Sequence, residues 1–300
     1  MTCSNQLLHK LKFEGGESME LTHIAQRQGR LSSFLRGEMK MSVGLMNRLK
    51  WGDSIRVNGV PQHTDYAVQP GDTVTVRLDE PAPQYPAEEG ALTILYEDDH
   101  LLAVDKPAGM LIHPSRSKND GTLANLVIGY YQKTGQASAF HPVTRLDRDT
   151  FGITLIAKNS YAHALMQETK FRKTYHALTF GWPDADRGTI DAPIARRELP
   201  SLLRYVSPEG KPSLTQYRVL ERGAVCRVAL TPVTGRTHQL RVHCAYLGHP
   251  ILGDPQYGSE ESLACSRQMG LTHQQLCAKR LEFVHPVSGM EMRLESRMDV

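Results

Sequence analysis

The sequence predicts an α+β protein: a mixed, mainly antiparallel sheet with flanking helices, preceded by a small module of two helices and a β-hairpin. The chain has 300 residues, of which 40% are apolar, enough to bury one large core or two moderate ones. Its hydrophobic spacing is helical over residues 31–50 and alternates like a strand over residues 73–78. Strand and helix patterns then follow one another to the end of the chain.

A composition break divides the chain into two domains. The segment Asp79–Gly90 reads DEPAPQYPAEEG, and its three prolines and four acidic residues disfavour both a helix and an inner strand. We therefore predict a first domain at residues 20–80, a linker at residues 81–90 and a second domain at residues 91–298.

The first domain is predicted to begin with two short helices. GRLSSFLRGEM and SVGLMNRLKWG each place three apolar side chains on one helical face, namely Leu31, Phe34 and Leu35, and Leu45, Met46 and Leu49. Gly52 stands where a C-cap glycine is expected. After it, VNG is typical of a tight hairpin turn, and YAVQPGDTVTVRL is a turn followed by an alternating strand.

The second domain alternates strands and helices. Two paired strands are predicted at LTILYEDDHLLAVDK, with a turn at residues 97–100 and a Lys-Pro-Ala-Gly loop at the end. A helix is predicted at TLANLVIGYYQ, a strand at GITLIAK, a helix near residues 161–171 and a strand at TYHALTF. A further helix is predicted from Thr237 to Leu247, closed by Gly248.

Charge is distributed unevenly, and several common motifs are absent. The formal net charge is +3, but residues 27–56 contain seven Lys or Arg against two acidic residues. Such an excess is compatible with a phosphate-binding surface or with an ordinary solvated helix face. The sequence has no GxGxxG, GxxxxGK[ST], HExxH or GxSxG pattern, so the usual nucleotide, zinc-protease and serine-hydrolase sites are not indicated.

The cysteines and the apolar runs set expectations for the environment of the protein. Five cysteines are far apart and form neither a CxxC pair nor a zinc-ligand spacing: Cys3, Cys226, Cys244, Cys265 and Cys277. No apolar run has the length of a signal peptide or of a membrane span. We therefore expect a cytoplasmic monomer with reduced thiols, no metal and no membrane contact.

From Arg30 to Leu78, the two helices and the hairpin resemble the alpha-L RNA-binding motif, which occurs in ribosomal proteins, tyrosyl-tRNA synthetases and several RNA-modifying enzymes. The resemblance rests on RLSSFL, on the helix at residues 42–50, on VNG and on PGDTVTV. In that family the basic helix face binds structured RNA. The resemblance implies RNA contacts for three basic residues: Arg48, Lys50 and Arg56.

Four stretches downstream resemble the RluA type of RNA pseudouridine synthase, which often carries an alpha-L module. They are HPVTRLDRDTFGITLIAK, RKTYHALTFG, PVTGRTHQLRVHCAYLGHPILGDPQYG and LCAKRLEFVHPVSG, and the resemblance extends over residues 20–295. It implies isomerisation of uridine in RNA: the bond from ribose carbon-1 to the base nitrogen breaks, the base turns, and it is rejoined through carbon-5. It implies neither a cofactor nor a metal.

The resemblance also implies roles for four residues. Asp147, in RLD, is the expected catalytic carboxylate, acting as nucleophile or as general base. Arg241, in HQLR, is expected to form a salt bridge to Asp147, because a nearby guanidinium favours the ionised carboxylate. Leu240 is expected to pack beneath the target base. Tyr175, in KTYHAL, is expected to stack on that base and to assist proton transfer from carbon-5, although a strand tyrosine without this motif would be interpreted as core.

Several basic residues are candidates for contacts with RNA. Arg145 matches the arginine that enters the base stack when the uridine is flipped out, which favours loops and loosely paired segments as targets. Arg236, near the start of a predicted helix, is expected to meet a phosphate. His238 either contacts phosphate or supports its loop. Three further candidates share only a basic side chain: Lys106, Arg196 and Arg197. For Arg196 and Arg197, an ordinary solvated surface is the preferred interpretation.

Two positions depart from the family pattern, which usually has His before RLD and Ser before the following glycine. Thr144 and Phe151 occupy these positions and bear on substrate choice. Asp149 follows two residues after Asp147 and could suggest a glycosidase pair, but in a turn an aspartate more often caps backbone amides. We expect a structural role for Asp149.

The sequence thus predicts uridine isomerisation in structured RNA, with large-subunit ribosomal RNA as the first substrate and tRNA as the alternative. A catalytically silent RNA-binding or ribosome-assembly factor is a rival of another class. Retention of Asp147, Tyr175 and Arg241 together argues against that rival. The sequence identifies neither the uridine nor the number of modified sites.

Overall fold

The computed structural model describes residues 10–14, 18–79, 85–115, 118–136, 138–198, 201 and 203–300. The expected α+β class is confirmed, since two main sheets and six helices make up the described part of the chain. Residues 81–84 of the predicted linker and Cys3 lie outside the described residues.

A five-stranded sheet and two helices form the N-terminal module. The sheet has the order β1-β2-β7-β4-β5 and every neighbouring pair is antiparallel. Its strands are β1 (Lys10–Glu14), β2 (Ser18–Ile24), β4 (Ile55–Val57), β5 (Val60–Pro61) and β7 (Thr73–Asp79). The short strands β3 (Gly29–Arg30) and β6 (Ala67–Val68) pair separately, and the helices are α1 (Leu31–Gly37) and α2 (Val43–Leu49).

The two predicted helices are present, and their apolar faces are turned inward. Helix α2 begins at Ser42, whose hydroxyl accepts a hydrogen bond from the amide of Leu45 at 3.2 Å. The side chains on the predicted faces are buried or partly buried in one core: Leu31, Phe34, Leu35, Leu45, Met46 and Leu49. The expectation of a C-cap glycine is wrong, because Lys50 caps α2 and Gly52 is not among the glycines with positive φ.

The hairpin at VNG is also present, with the geometry that its sequence favours. Asn58 and Gly59 have φ values of 51° and 81°, the left-handed pair typical of a type I′ turn. Strands β1 and β2 were not predicted from the sequence. Strand β2 pairs along its whole length with β7 and adds buried Leu21 to the core of the module.

The second domain contains a ten-stranded mixed sheet. Its main order is β13-β16-β17-β12-β18-β11-β9-β8, with β10 beside β11 and β19 beside β18. Its strands are β8 (Thr93–Glu97), β9 (Leu101–Lys106), β10 (His141–Pro142), β11 (Phe151–Ala157), β12 (Arg172–Phe180), β13 (Arg187–Asp191), β16 (Leu214–Glu221), β17 (Val225–Pro232), β18 (Leu276–Val284) and β19 (Glu291–Glu295). The short strands β14 (Ile194–Arg196) and β15 (Arg204–Val206) pair separately.

Four helices accompany this sheet, including all three that the sequence predicted for this domain. They are α3 (Leu123–Lys133), α4 (Ser160–Glu168), α5 (Gln239–Tyr246) and α6 (Glu260–Gln268). Helix α5 begins two residues later than predicted, after His238, and Gly248 follows it with a φ of 81°, as a C-terminal glycine should.

The single parallel pair among the described strands joins β11 to β18. Phe151 lies beside Cys277 and Gly152 beside Ala278. Gly152 has a φ of 103°, and a Cβ at this position would lie 2.5 Å from the carbonyl oxygen of Ala278. Only glycine fits this close approach, which joins the loop containing Asp147 to the centre of the sheet.

The N-terminal module packs directly on the second domain. Tyr161, in the first turn of α4, is almost fully buried in the core of the module, and its hydroxyl donates to the carbonyl of Met39 at 2.7 Å. The described part of the predicted linker packs on the second domain as well. The Glu88 carboxylate accepts the amide of Gly121, and the Asn125 side chain donates to the carbonyl of Pro86.

We predict that Tyr161→Phe lowers the free energy of unfolding by about 1–3 kcal/mol, because it leaves the buried carbonyl of Met39 without its donor. Urea denaturation followed by circular dichroism measures the change. Tyr246→Phe is the matched control, since Tyr246 is largely exposed. Equal unfolding midpoints for the wild type and Tyr161→Phe would contradict the stabilising role of this hydroxyl.

Candidate active site

Asp147 lies in the loop between β10 and β11, and both ends of this loop are bound to the sheet. At the first end, the hydroxyl of Thr144 accepts the amide of Leu155 at 2.9 Å. At the other end, the ammonium of Lys106 donates to the carbonyl of Arg148 at 2.9 Å. The Asp147 side chain remains 32% exposed, so a substrate can reach the carboxylate while its backbone is held.

Arg241 connects this loop to helix α5. Its Nη1 donates to Oδ2 of Asp147 at 3.0 Å, the salt bridge that the sequence analysis expected. Its Nε and Nη2 donate to the two oxygens of Asp254 at 2.7 and 2.8 Å, and Nη2 also donates to Gln256 at 2.8 Å. Three side chains therefore orient one planar guanidinium, which presents a fixed donor to Asp147.

The electrostatics of this cluster keep Arg241 charged. Burial disfavours the guanidinium charge, but the hydrogen bonds and negative charges of Asp254 and Asp147 outweigh it, so the pKa of Arg241 is raised above its ordinary value. Asp254 is fully buried and also accepts the amides of Gln256 and Tyr257. A buried carboxylate with this many donors is a rigid support for the arginine.

His238 is the second side chain beside Asp147. Its Nε2 lies 3.7 Å from Oδ2 of Asp147, too far for a hydrogen bond, and its Nδ1 lies 2.9 Å from the hydroxyl of Tyr257. That hydroxyl accepts the amide of Arg204 at 2.9 Å, so its own proton is available to Nδ1. This pairing favours the histidine tautomer that carries its proton on Nε2, facing Asp147.

Burial holds His238 neutral and its backbone is unusual. Burial lowers the pKa of His238, while the charge of Asp147 opposes part of this effect. The residue caps α5 with a φ of 56°, a left-handed conformation that costs a non-glycine residue about 1–3 kcal/mol. Its bond to Tyr257 is compatible with support of the loop, and a contact of His238 with an RNA phosphate stays a prediction.

Tyr175 lies on β12, near the carboxylate, and packs against the cluster that contains Leu240. Burial, and then the negative charge of Asp147, raise the pKa of its phenol well above the ordinary value. The phenol is therefore protonated at neutral pH in the RNA-free protein, and in that state it is a proton donor. Tyr175 lines a small pocket together with Thr144 and Lys173, beside the catalytic loop.

Lys106 is not an RNA contact, contrary to the expectation from its basic side chain. It is fully buried, and its ammonium donates to the carbonyls of Pro107, Met110 and Arg148, each at 2.9 Å. Burial lowers the pKa of Lys106 to about 8, against the opposing charges of Asp149 and Asp147. Lys106 joins two loops beneath the carboxylate of Asp147.

Asp149 has the structural role expected of it, but with a different partner. Its carboxylate accepts two hydrogen bonds from the adjacent Arg148, at 3.0 and 2.8 Å, instead of capping backbone amides. The hydrogen bonds of Arg148 lower the pKa of Asp149, with burial acting in the opposite direction. Arg148 pairs with Asp149, so the arginine that forms the salt bridge with Asp147 is Arg241.

The two positions that depart from the family pattern lie in the interior. Thr144 is buried and uses its hydroxyl to bond the backbone of β11. Phe151 is also buried, with its ring edge-on to His273 at a centroid distance of 5.8 Å. Phe151 therefore fills core beneath the loop.

The remaining candidates for RNA contacts lie on the surface. Arg145 is exposed two residues before Asp147, and none of the described residues accepts a hydrogen bond from it. Arg236 is exposed and donates to the carbonyl of Pro212 at 3.1 Å. Arg196 and Arg197 are exposed around the end of β14, where Arg196 bonds the carbonyl of Ser201.

The three basic residues of the N-terminal module also face solvent to different extents. Arg48 and Arg56 are exposed, and Arg56 donates to the carbonyl of Asp53. Lys50 is half-buried, with its ammonium 5.1 Å from the ring centre of Trp51. Their contact with RNA stays a prediction.

No helix in the described ranges is long and apolar enough to cross a membrane. Within those same ranges, His, Cys, Asp and Glu side chains form no group of three arranged to hold a metal ion. Chemistry without metal or cofactor, a cytoplasmic location and a monomeric state remain predictions.

Comparison with known proteins places this site in a family. The family model described as RNA pseudouridylate synthase matches residues 100–246, which include Asp147, Tyr175 and Arg241. The uncharacterized RNA pseudouridine synthase YjbO of Bacillus subtilis is 36% identical over 87% of this chain and 92% of its own length. The chain belongs to the RNA pseudouridine synthase family. The expected family resemblance is thereby confirmed.

Other members of the family are similarly related. The ribosomal large subunit pseudouridine synthase C of Vibrio cholerae is 36% identical over 90% of each chain. Its namesake in Escherichia coli is 36% identical over 90% of this chain and 89% of its own. Among solved structures, human RNA pseudouridylate synthase domain containing 1 has a TM-score of 0.56 and 27% identity, covering 71% of this chain and 93% of its own.

Sequence reasoning missed three members of the site. Asp254 and Gln256 stand in the quoted stretch GDPQYG, but nothing in their spacing from Arg241 indicates that they bind the same guanidinium. Tyr257 was also missed, although its ring lies 4.9 Å from the guanidinium carbon of Arg241. The one available signal was that GDPQYG belongs to the same quoted stretch as Arg241.

We predict that Arg241→Lys lowers the rate of catalysis by about 10²-fold or more, because a lysine ammonium cannot span both Asp254 and Asp147 with a fixed planar fork. Single-turnover assays with the protein in excess over the RNA and above the Kd measure the rate, and circular dichroism checks the fold. Arg218→Lys is the matched control, since Arg218 is exposed on the main sheet and the substitution keeps its charge. Near-normal turnover by Arg241→Lys would show that a point charge is sufficient.

Proposed function

We propose that this protein converts uridine to pseudouridine in large-subunit ribosomal RNA, with Asp147 as the catalytic carboxylate. The observation that carries the proposal is the 3.0 Å pair between Arg241 and a partly exposed Asp147, within the part of the chain that matches the family. The choice of ribosomal RNA over tRNA rests on relatives named for the ribosomal large subunit.

The geometry supports a carboxylate that stays ionised and accessible. Arg241 supplies one charged hydrogen bond, and His238 presents a neutral ring beside the same oxygen. A carboxylate in this state acts either as a nucleophile at ribose carbon-1 or as a general base, and both roles require a free lone pair. The exposed part of Asp147 supplies that access.

The neighbouring side chains suit a base that has turned out of its helix. Tyr175 offers an aromatic ring with a protonated hydroxyl, and Leu240 belongs to the apolar cluster against which that ring packs. Arg145 projects from the same loop into solvent, where it can occupy the space that the flipped uridine leaves in the RNA. Flipping is least costly in unpaired loops, which are therefore the preferred targets.

The N-terminal module is proposed to supply affinity instead of chemistry. Arg48, Lys50 and Arg56 lie outside the catalytic loop and carry charges suited to RNA phosphates. Because the module packs against α4 through Tyr161, these charges keep a defined position relative to the catalytic domain.

Asp147→Asn is predicted to lower pseudouridine formation by about 10²–10⁴-fold or more, because it removes the charged lone pairs that the reaction uses. Tritium release from RNA labelled at uridine carbon-5 measures turnover, and fluorescence anisotropy should show nearly unchanged RNA binding. Asp149→Asn is the matched control and should retain most activity, since Asp149 pairs with Arg148. Turnover by Asp147→Asn above a few per cent of wild type would refute the assignment.

Neutralising Arg48, Lys50 and Arg56 to Gln in the full chain should weaken RNA binding. The slope of log affinity against log salt should become shallower by roughly 0.7–0.9 for each RNA phosphate that the variant no longer binds. The matched control replaces three other exposed arginines with Gln, which changes the charge by a similar amount. These arginines lie in the main sheet and in the segment beyond it: Arg187, Arg218 and Arg222. If both triple variants keep the wild-type salt slope, the basic face of the module is ordinary solvated surface.

A further inference from the structure

Trp51 is the most exposed large hydrophobic side chain in the described part of the chain. It is 80% exposed, whereas Trp182, the second tryptophan, is buried against Tyr217. Tryptophan is highly buried on average, because its large ring gains much from leaving water. An indole left in solvent is therefore unexplained by the core of the module.

The position of Trp51 follows from helix α2. Trp51 stands one helical turn after Asn47 and therefore lies on the side of α2 that faces solvent. Arg48 is also exposed. Leu45 is buried and Leu49 is partly buried on the opposite side. The indole thus extends the solvent face of the helix and cannot join the core without unwinding this turn.

The surroundings of the indole are positively charged. The ammonium of Lys50 lies 5.1 Å from the ring centre, and Arg48 and Arg56 are exposed nearby in the sequence. No Asp or Glu occurs between Glu38 and Asp53. An aromatic ring interleaved with cations is the combination that binds unpaired nucleotides, because the ring stacks on a base while the cations bind phosphates.

We propose that Trp51 is a stacking platform for one unpaired RNA base, beside phosphates bound by the neighbouring cations. The proposal rests on the proposed function, since it assumes that the module binds RNA. The partner is an unpaired nucleotide, because bases inside an A-form helix present only their edges and their faces are already stacked. The module would then recognise a loop or bulge separate from the one that contains the target uridine.

A fluorescence experiment on the full chain tests the stacking directly. The probes are an RNA hairpin with an unpaired loop and a blunt, fully paired duplex containing the same stem. Trp51 should dominate the quenchable emission, since Trp182 is buried, and Trp51→Phe gives the background. The hairpin should quench Trp51 and protect it from acrylamide, and the duplex should bind without doing either. Hairpin binding that leaves Trp51 emission and acrylamide access unchanged would overturn the proposal.

The thermodynamic test separates stacking from charge. Trp51→Ala should weaken hairpin binding by about 10-fold, as expected for the removal of one base–aromatic stack, with an unchanged salt slope. Trp51→Phe should bind within about 3-fold of wild type, because a smaller ring still stacks. Arg48→Gln should instead make the salt slope shallower by about 0.7–0.9. Equal effects of Trp51→Ala on the hairpin and on the duplex would assign the indole to another role, such as a protein contact.

Failure of this inference differs from failure of the proposed function. Tritium release by the wild-type protein from an unmodified large-subunit ribosomal RNA transcript reports isomerisation independently of Trp51. Release with unchanged Trp51 emission in the hairpin experiment overturns only the stacking proposal. Absence of release together with loop-specific quenching supports the stacking site and overturns the proposed activity.

Discussion

The buried pair between Asp254 and Arg241 is the interaction on which the geometry of the candidate site depends. A carboxylate withdrawn from water is costly unless donors surround it, and Asp254 receives the guanidinium together with two backbone amides. Once this pair has formed, the guanidinium has a single orientation, and the nitrogen left over points at Asp147. The partly exposed carboxylate of Asp147 is thus positioned by an ion pair that is itself buried.

The position of Asp147 also depends on the backbone of β11, which is distant from α5 in the sequence. Gly152 allows β11 to approach β18, and the loop before it is held from below by Lys106. Three segments that are distant in sequence therefore meet at one carboxylate. Substitution at Gly152 or Lys106 would therefore be expected to displace Asp147, although neither side chain contacts its carboxylate.

Local patterns predicted much of this fold, and non-local contacts account for what they missed. Helix α2 and the hairpin at Asn58 follow from spacing and turn chemistry, which act over a few residues. Lys106 looked like a surface cation because its sequence cannot show that three carbonyls surround it. The role of Asp254 was missed for the same reason, and β2 was missed because its pairing with β7 joins residues about 50 to 60 positions apart.

The contact between Tyr161 and Met39 has a geometric consequence for target choice. The chain runs from the catalytic loop through β11 into α4, and the first turn of α4 carries Tyr161 into the core of the N-terminal module. The distance between the module and Asp147 is therefore set by one strand and one helix turn. Under the proposed function, in which the module binds RNA, this fixed distance would select a uridine by its separation in space from a second RNA feature, so the folded shape of the RNA, more than its local sequence, would determine which uridine is reached.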